Sequence, residues 1–112
     1  IMESLAKSGL DLVGVQELAK TTKPNKSLYS AIGSKFIFEA DKRNQNYRTP
    51  RYLLREKKGN CVSGSILTSS VLISQGIPHK FVFGGNFPNK PNHVWVETDK
   101  YIFDTVSATI FC

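Results

Sequence analysis

Cys61, His93 and Asp104 are the residues whose types and order could do covalent chemistry. A free thiol titrates near about 8.5 and is mostly protonated at neutral pH, but a helix N-terminus and an imidazolium partner both favour the thiolate. Gly59-Asn60-Cys61-Val62 has the form of a turn followed by a helix start. There the orphan backbone N–H groups and the positive dipole end would face the sulfur. A histidine would take up and return a proton, and a carboxylate would fix its tautomer and stabilise the imidazolium. Backbone N–H groups at the helix start, that of Cys61 among them, would form an oxyanion hole. The chemistry is acyl transfer through a thioester, resolved by water or by an amine.

Each residue also has a plainer reading. A buried cysteine is commonly a small core residue, His93 a polar residue at a loop end, Asp104 a strand terminator, and Trp95 a core side chain. The joint order carries the functional reading: a Gly-x-Cys at a helix start, a histidine at a strand start, an aspartate on the partner strand. His79 is a competing imidazole, but it follows Pro78 ahead of a different strand and reads as structural.

The elements that must position these groups are legible on either side. Thr49-Pro50 reads as N-cap and first helical residue of a short helix to about Glu56, with Gly59 as a left-handed exit. A helix from Asn60 or Cys61 to Gln75 follows, with Val62, Ile66, Leu67, Val71 and Ile73 as its buried side. Ser63, Gly64, Ser65, Ser69 and Ser70 keep its surface thin for a close neighbour, and Gly76-Ile77-Pro78 stops it. Beyond it the pattern is strand: His79–Phe83, then a breaker-rich loop, His93–Thr98, and Tyr101–Thr105. Residues 108–112 could begin another strand.

A two-residue connection at Asp99-Lys100 sets Thr98 opposite Tyr101, Glu97 opposite Ile102, and Trp95 opposite Asp104. His93 and Asp104 are then diagonal neighbours on one face, roughly 7–8 Å apart at the backbone. A slip of one residue would undo this. Glu97, four strand residues from His93 and so roughly 13 Å away, is too distant to orient it.

Upstream, residues 2–20 read as two short helices interrupted at Gly9 and Gly14, with Asp11 a cap for the second. Ser27 is expected to cap a third, running through Ile32 and ending at Gly33. Phe36-Ile37-Phe38 suits strand or helix equally, and residues 41–48 read as loop. Helices first and an antiparallel meander afterwards give an α+β architecture.

At 112 residues the chain has room for one domain with a real core, and its 40% apolar and 21% charged shares suit a folded globular protein. No apolar run approaches the roughly 18–20 residues that a membrane-spanning helix needs. The first residues lack the charged, apolar and cleavage regions of a signal peptide. The cytoplasm is therefore the default compartment, with secretion left open because Ile1 precedes Met2 in what reads as an excised or processed piece.

The formal charge of +6 gathers in the 42–58 segment, through Lys42, Arg43, Arg48, Arg51, Arg55, Lys57 and Lys58. The segment suits an anionic partner or, more simply, a solvated face. Two cysteines, Cys61 and Cys112, are too few for a disulfide framework. A single bridge between them fits the count but would make odd use of a sulfur at a helix start. No spacing calls for a metal or a cofactor.

In combination these pieces resemble the transglutaminase-like superfamily of papain-fold cysteine enzymes, over about residues 47–107. The text that carries the resemblance is Thr49-Pro50 and Leu53-Leu54 ahead of Gly59-Asn60-Cys61, then Gly76-Ile77-Pro78. It continues through Phe81 and Phe83 to Gly84-Gly85, His93-Val94-Trp95-Val96-Glu97 and Tyr101-Ile102-Phe103-Asp104-Thr105. The resemblance implies a triad of Cys61, His93 and Asp104, with Asn60 and Trp95 near the substrate cleft. It also implies a papain-like core of N-terminal helices and a central helix packed on a C-terminal antiparallel sheet.

Val62 stands where transglutaminases often carry tryptophan, and Gln75 replaces the usual small or apolar residue before Gly76. The chain also lacks the flanking β-domains and calcium sites of the tissue enzymes. The expected organisation is one domain over 1–112, a helical part to residue 46 followed by a catalytic core from 47, with the N-terminal part capping the fold or shaping the cleft. The expected activity is hydrolysis of a peptide or protein amide through Cys61. Amine transfer to a glutamine side chain by the same triad, and a non-catalytic binding module that keeps the fold, are the alternatives.

Overall fold

A computed structural model describes residues 2–38, 49–59, 61–84 and 93–103. In chain order it contains α1 (Met2–Ser8), α2 (Val13–Thr21), α3 (Lys26–Lys35), β1 (Ile37–Phe38), α4 (Pro50–Glu56), β2 (Lys58–Gly59), α5 (Cys61–Gln75), β3 (Lys80–Gly84), β4 (His93–Glu97) and β5 (Ile102–Phe103). The architecture is α+β. Among the described residues no helix is long and apolar enough to cross a membrane.

Everything is arranged around α5. From Val62 through Leu72 every residue is buried, serines included. A helix without a polar side must be enclosed on all sides, and α1, α2, α3, α4 and β4 all pack on it. The main core gathers Leu67, Val71 and Leu72 of α5 with Val15, Leu18, Leu28, Ile32, Leu53, Val96 and Phe103. A smaller cluster, Ala6, Val62, Ile66 and Val94, lies along the amino half of the helix. Ile73, expected on the buried side, is only half-buried.

The carboxyl end of α5 is closed by a Schellman motif. Gly76, at φ 73°, donates to the Ile73 carbonyl at 3.0 Å, and Ile77 donates to that of Leu72 at 2.9 Å. The left-handed residue has to be one that tolerates φ > 0, and glycine does so without penalty. Gln75 has a tertiary role here: its amide nitrogen donates to the carbonyls of Ala19 (3.2 Å) and Thr22 (2.8 Å) at the end of α2. These are carbonyls of the kind that a helix terminus leaves without intrahelical partners.

Several local expectations are corrected. The N-cap of α2 is Leu12 and makes no side-chain bond; Asp11 lies outside the helix, and Gly14 lies within it. In α3 the cap is Asn25, which accepts from the Ser27 N–H at 2.9 Å, while the Ser27 hydroxyl turns back to accept from the Lys23 N–H at 2.8 Å. That helix passes through Gly33 to Lys35. Phe36-Ile37-Phe38 resolves into β1, parallel to β2 with Ile37 opposite Lys58 and Phe38 opposite Gly59.

Thr49 and Pro50 do cap and open α4, the Thr49 hydroxyl accepting from the Tyr52 N–H at 3.2 Å. The left-handed exit, however, is Lys57 (φ 62°, ψ 19°), because Gly59 is paired as strand. Gly59 is required for another reason. A Cβ there would lie 2.9 Å from Ser63 Cβ and 3.2 Å from Leu53 Cδ1, so the strand before α5 runs too close to the helix for any side chain.

The second sheet has order β3-β4-β5, antiparallel throughout. Val96 faces Phe103 and Glu97 faces Ile102, the register read from the two-residue connection. In the turn itself the Thr98 N–H donates to the Tyr101 carbonyl at 2.9 Å, and the Thr98 hydroxyl accepts from Lys100 N–H and Tyr101 N–H. Tyr101 meets the Tyr29 ring of α3 edge to face and the Phe103 ring at a tilt, at centroid distances of 6.4 and 4.8 Å, which ties the hairpin to the N-terminal helices.

Candidate active site at the start of the central helix

Cys61 is the first residue of α5, and His93 is the first residue of β4, paired with Gly84 of β3. Asn60, Asp104, Cys112 and residues 108–112 lie outside the described residues, as do the side chains of Cys61 and His93. The same holds for residues 41–48, including three of the basic side chains of the 42–58 segment. In the described part of that segment, Arg55 pairs with Glu56 at 3.1 Å and lies over the Tyr52 ring, and Lys57 lies over the Phe36 ring.

What joins the two elements is a buried hydrogen bond. Ser65, one turn after Cys61, donates its hydroxyl to the Val94 carbonyl at 3.1 Å, across 29 residues of sequence. Val94 is the residue after His93, so the bond ties the opening turns of α5 to the opening residues of β4. Its direction follows from the ladder. Hydrogen-bonded pairs alternate along an antiparallel hairpin. Since Thr98 bonds Tyr101, Val96 shares that phase and so does Val94. The Val94 carbonyl therefore points to the β5 side of β4.

Along β4, Val94 and Val96 are buried against α5 while Trp95 and Glu97 are half-buried on the other face. The register position of His93 is in step with Trp95 and Glu97. The Trp95 indole N–H donates to Glu97 Oε2 at 2.7 Å, so this carboxylate is held by its own strand neighbour.

His79 has a different setting. Its Nδ1 contacts the Ile77 carbonyl at 2.9 Å and its Nε2 contacts the Ser69 hydroxyl at 2.6 Å. A carbonyl can only accept, so Nδ1 carries the hydrogen, and in the neutral ring Nε2 accepts from Ser69. Both ring nitrogens are thus used to hold the turn between α5 and β3. A cavity of about 140 Å³ beside it is lined by Glu3, Lys7, Ser69, Ile73, His79, Lys80 and Phe81. It sits toward the opposite end of α5 from Cys61. Among the described residues no group of three metal-ligating side chains assembles.

Sequence reasoning did not single out Ser65 as a link to β4. The available signal was a hydroxyl four residues beyond Cys61 in a helix buried all round, where a polar group needs a partner.

Comparison with known proteins bears on the whole arrangement. Among curated proteins none matches the sequence. A structure of a candidate cysteine protease from Cytophaga hutchinsonii superposes with a TM-score of 0.60 at 16% identity, covering 92% of this chain and 38% of that one. At that identity the likeness concerns the fold, and the chain spans well under half the length of that protein. A family model for the transglutaminase-like superfamily matches residues 14–103, reaching back through α2 and α3 beyond the stretch whose motifs carry the resemblance. The match extends over most of the chain, and the protein belongs to the transglutaminase-like superfamily.

Proposed function

We propose that the protein is a cysteine hydrolase that cleaves a peptide or amide bond through an acyl-thioester on Cys61. The observation that carries the reading is the Ser65–Val94 hydrogen bond, because it brings the helix that starts at Cys61 to the strand that starts at His93. The hairpin register supports a place for the acid: one further residue along β5 would set Asp104 opposite Trp95, diagonal to His93.

The Cys61 thiolate attacks the substrate carbonyl carbon, and the oxyanion is met by backbone N–H groups at the start of α5. The C–N bond breaks as His93 gives its proton to the leaving amine. His93 then takes a proton from water as the water attacks the thioester, the C–S bond breaks, and a carboxylic acid leaves with the thiolate restored. Asp104 holds the imidazole in the required tautomer throughout.

The test is mass spectrometry of a glutamine-containing peptide incubated with the protein, with and without a primary amine. Release of a shorter peptide or of a glutamate product, absent with Cys61→Ser, supports hydrolysis. Incorporation of the amine identifies transfer at the same site. No product under either condition, with Cys61 no more reactive than an ordinary thiol, would leave a non-catalytic module of the same fold.

A further inference from the structure

We propose that Ser65 is a positioning residue for the Cys61 nucleophile, holding the start of α5 in register with the start of β4 so that thiol and imidazole can pair. The proposal rests on the reading of Cys61 and His93 given above. Residues four apart on a helix share a face, so Ser65 lies directly below Cys61, and its hydroxyl partner belongs to the residue that follows His93. The bond is thus within one helical turn of one reacting group and one residue of the other.

Serine and threonine in helix interiors commonly bond the carbonyl four residues back, and Thr68 does so with Gly64 at 2.8 Å. Ser65, equally buried, reaches across to another element. It finds a carbonyl that points to the β5 side of β4. Without the hydroxyl the Val94 carbonyl loses a buried partner, and the helix is free to slide against the strand at the point where Cys61 and His93 must converge.

Ser70 provides an internal control. It too is a buried serine of α5 and donates to a carbonyl of another element, that of Ala6 in α1 at 2.5 Å, but it lies more than two turns from Cys61. Removing it breaks the same kind of bond with no route to the thiol.

The experiment is the rate of iodoacetamide alkylation at Cys61 against pH, followed by peptide mass spectrometry on the full chain below each variant's melting temperature. In the unsubstituted protein Cys61 should react faster than Cys112 at pH 6, and His93→Gln should abolish that advantage. Ser65→Ala should lower the rate at pH 6 by about fivefold to tenfold while leaving it within about twofold at pH 9, the signature of a thiol less well paired with its imidazole. Ser70→Ala should leave the whole profile in place even where it lowers the melting temperature. Should Ser65→Ala not fold, Ser65→Thr and Ser65→Val compare hydroxyl and no hydroxyl at equal volume, and only the valine variant should show the loss.

A Ser65→Ala (or Ser65→Val) profile that superimposes on the unsubstituted one, with His93→Gln still shifted, overturns the positioning role and leaves the Cys61–His93 pair standing. A profile that His93→Gln does not move overturns the pair, and the role of Ser65 with it.

Discussion

The two ends of α5 are held by the same chemistry to different depths. Toward the carboxyl end, Ser69 bonds His79, Ser70 bonds the Ala6 carbonyl, Gln75 takes up two carbonyls of α2, and a Schellman motif closes the helix. Toward the amino end, among the described residues, Ser65 bonds the Val94 carbonyl, and the apolar cluster beside it is the smaller of the two. The carboxyl half anchors the helix in the fold. The amino end begins at Cys61 and carries the smaller of the two clusters.

The sharpest way to break this contrast is to truncate the core at each end. Leu72 is fully buried in the main cluster, and Leu72→Ala is expected to destabilise by about 2–5 kcal/mol, transfer loss plus cavity. Val62, in the smaller cluster, loses two carbons as Val62→Ala and should cost about 1–2 kcal/mol. Urea unfolding midpoints decide between them. Equal losses, or a larger loss at Val62, would mean that the amino end is anchored as firmly as the other.

Gly59→Ala is the next largest effect. The added methyl meets Ser63 Cβ at 2.9 Å and Leu53 Cδ1 at 3.2 Å, a backbone-borne clash on one side and a side chain on the other. Overpacking of this kind costs about 1–3 kcal/mol. The strain falls on β2 and the first turn of α5, so the change should lower Cys61 alkylation at pH 6 more than Leu72→Ala does, despite the smaller loss of stability. If the two variants rank alike in both measurements, the amino end has no mechanical independence from the anchor.

Legibility from the residues alone differs between these regions, for physical reasons. Helix α5 was legible to within one residue because Gly76-Ile77-Pro78 punctuates one end and a Gly-x-Cys the other. The hairpin register was legible because two residues between Thr98 and Tyr101 leave few ways to turn. Caps were misread where candidates crowd together: Asn25 and Ser27 are both good cap residues, and only the geometry of the loop decides that Asn25 accepts from Ser27. The targets of Ser65, Ser69 and Ser70 were not legible at all, since a hydroxyl on a helix has no sequence signature for the element that will pack on it. Of the candidate site, residue types and their order were legible. The backbone places two of the three at element starts, and the carboxylate of Asp104 belongs to the proposal.

The smallest expected effect concerns the left-handed residue between α4 and β2. Sequence preference assigned φ > 0 to Gly59, whereas the chain turns at Lys57 (φ 62°) and keeps Gly59 extended against Ser63. Lys57→Gly removes the Cβ penalty of a left-handed residue, a gain of about 1–2 kcal/mol. It also forfeits the Lys57 ammonium over the Phe36 ring, at 5.4 Å, worth about 0.5–1 kcal/mol at an exposed site, and adds about 0.5–1 kcal/mol of unfolded-state freedom. The opposing contributions nearly cancel, so the unfolding midpoint should move by no more than about 0.5 kcal/mol equivalent in either direction. Lys57→Val keeps the penalty, increases it through β-branching, and loses the ring contact, and should be destabilising by about 1 kcal/mol or more. A Lys57→Val variant as stable as Lys57→Gly would mean that the turn lies elsewhere. The close approach of Gly59 to α5 would then no longer explain why glycine stands two residues before the cysteine.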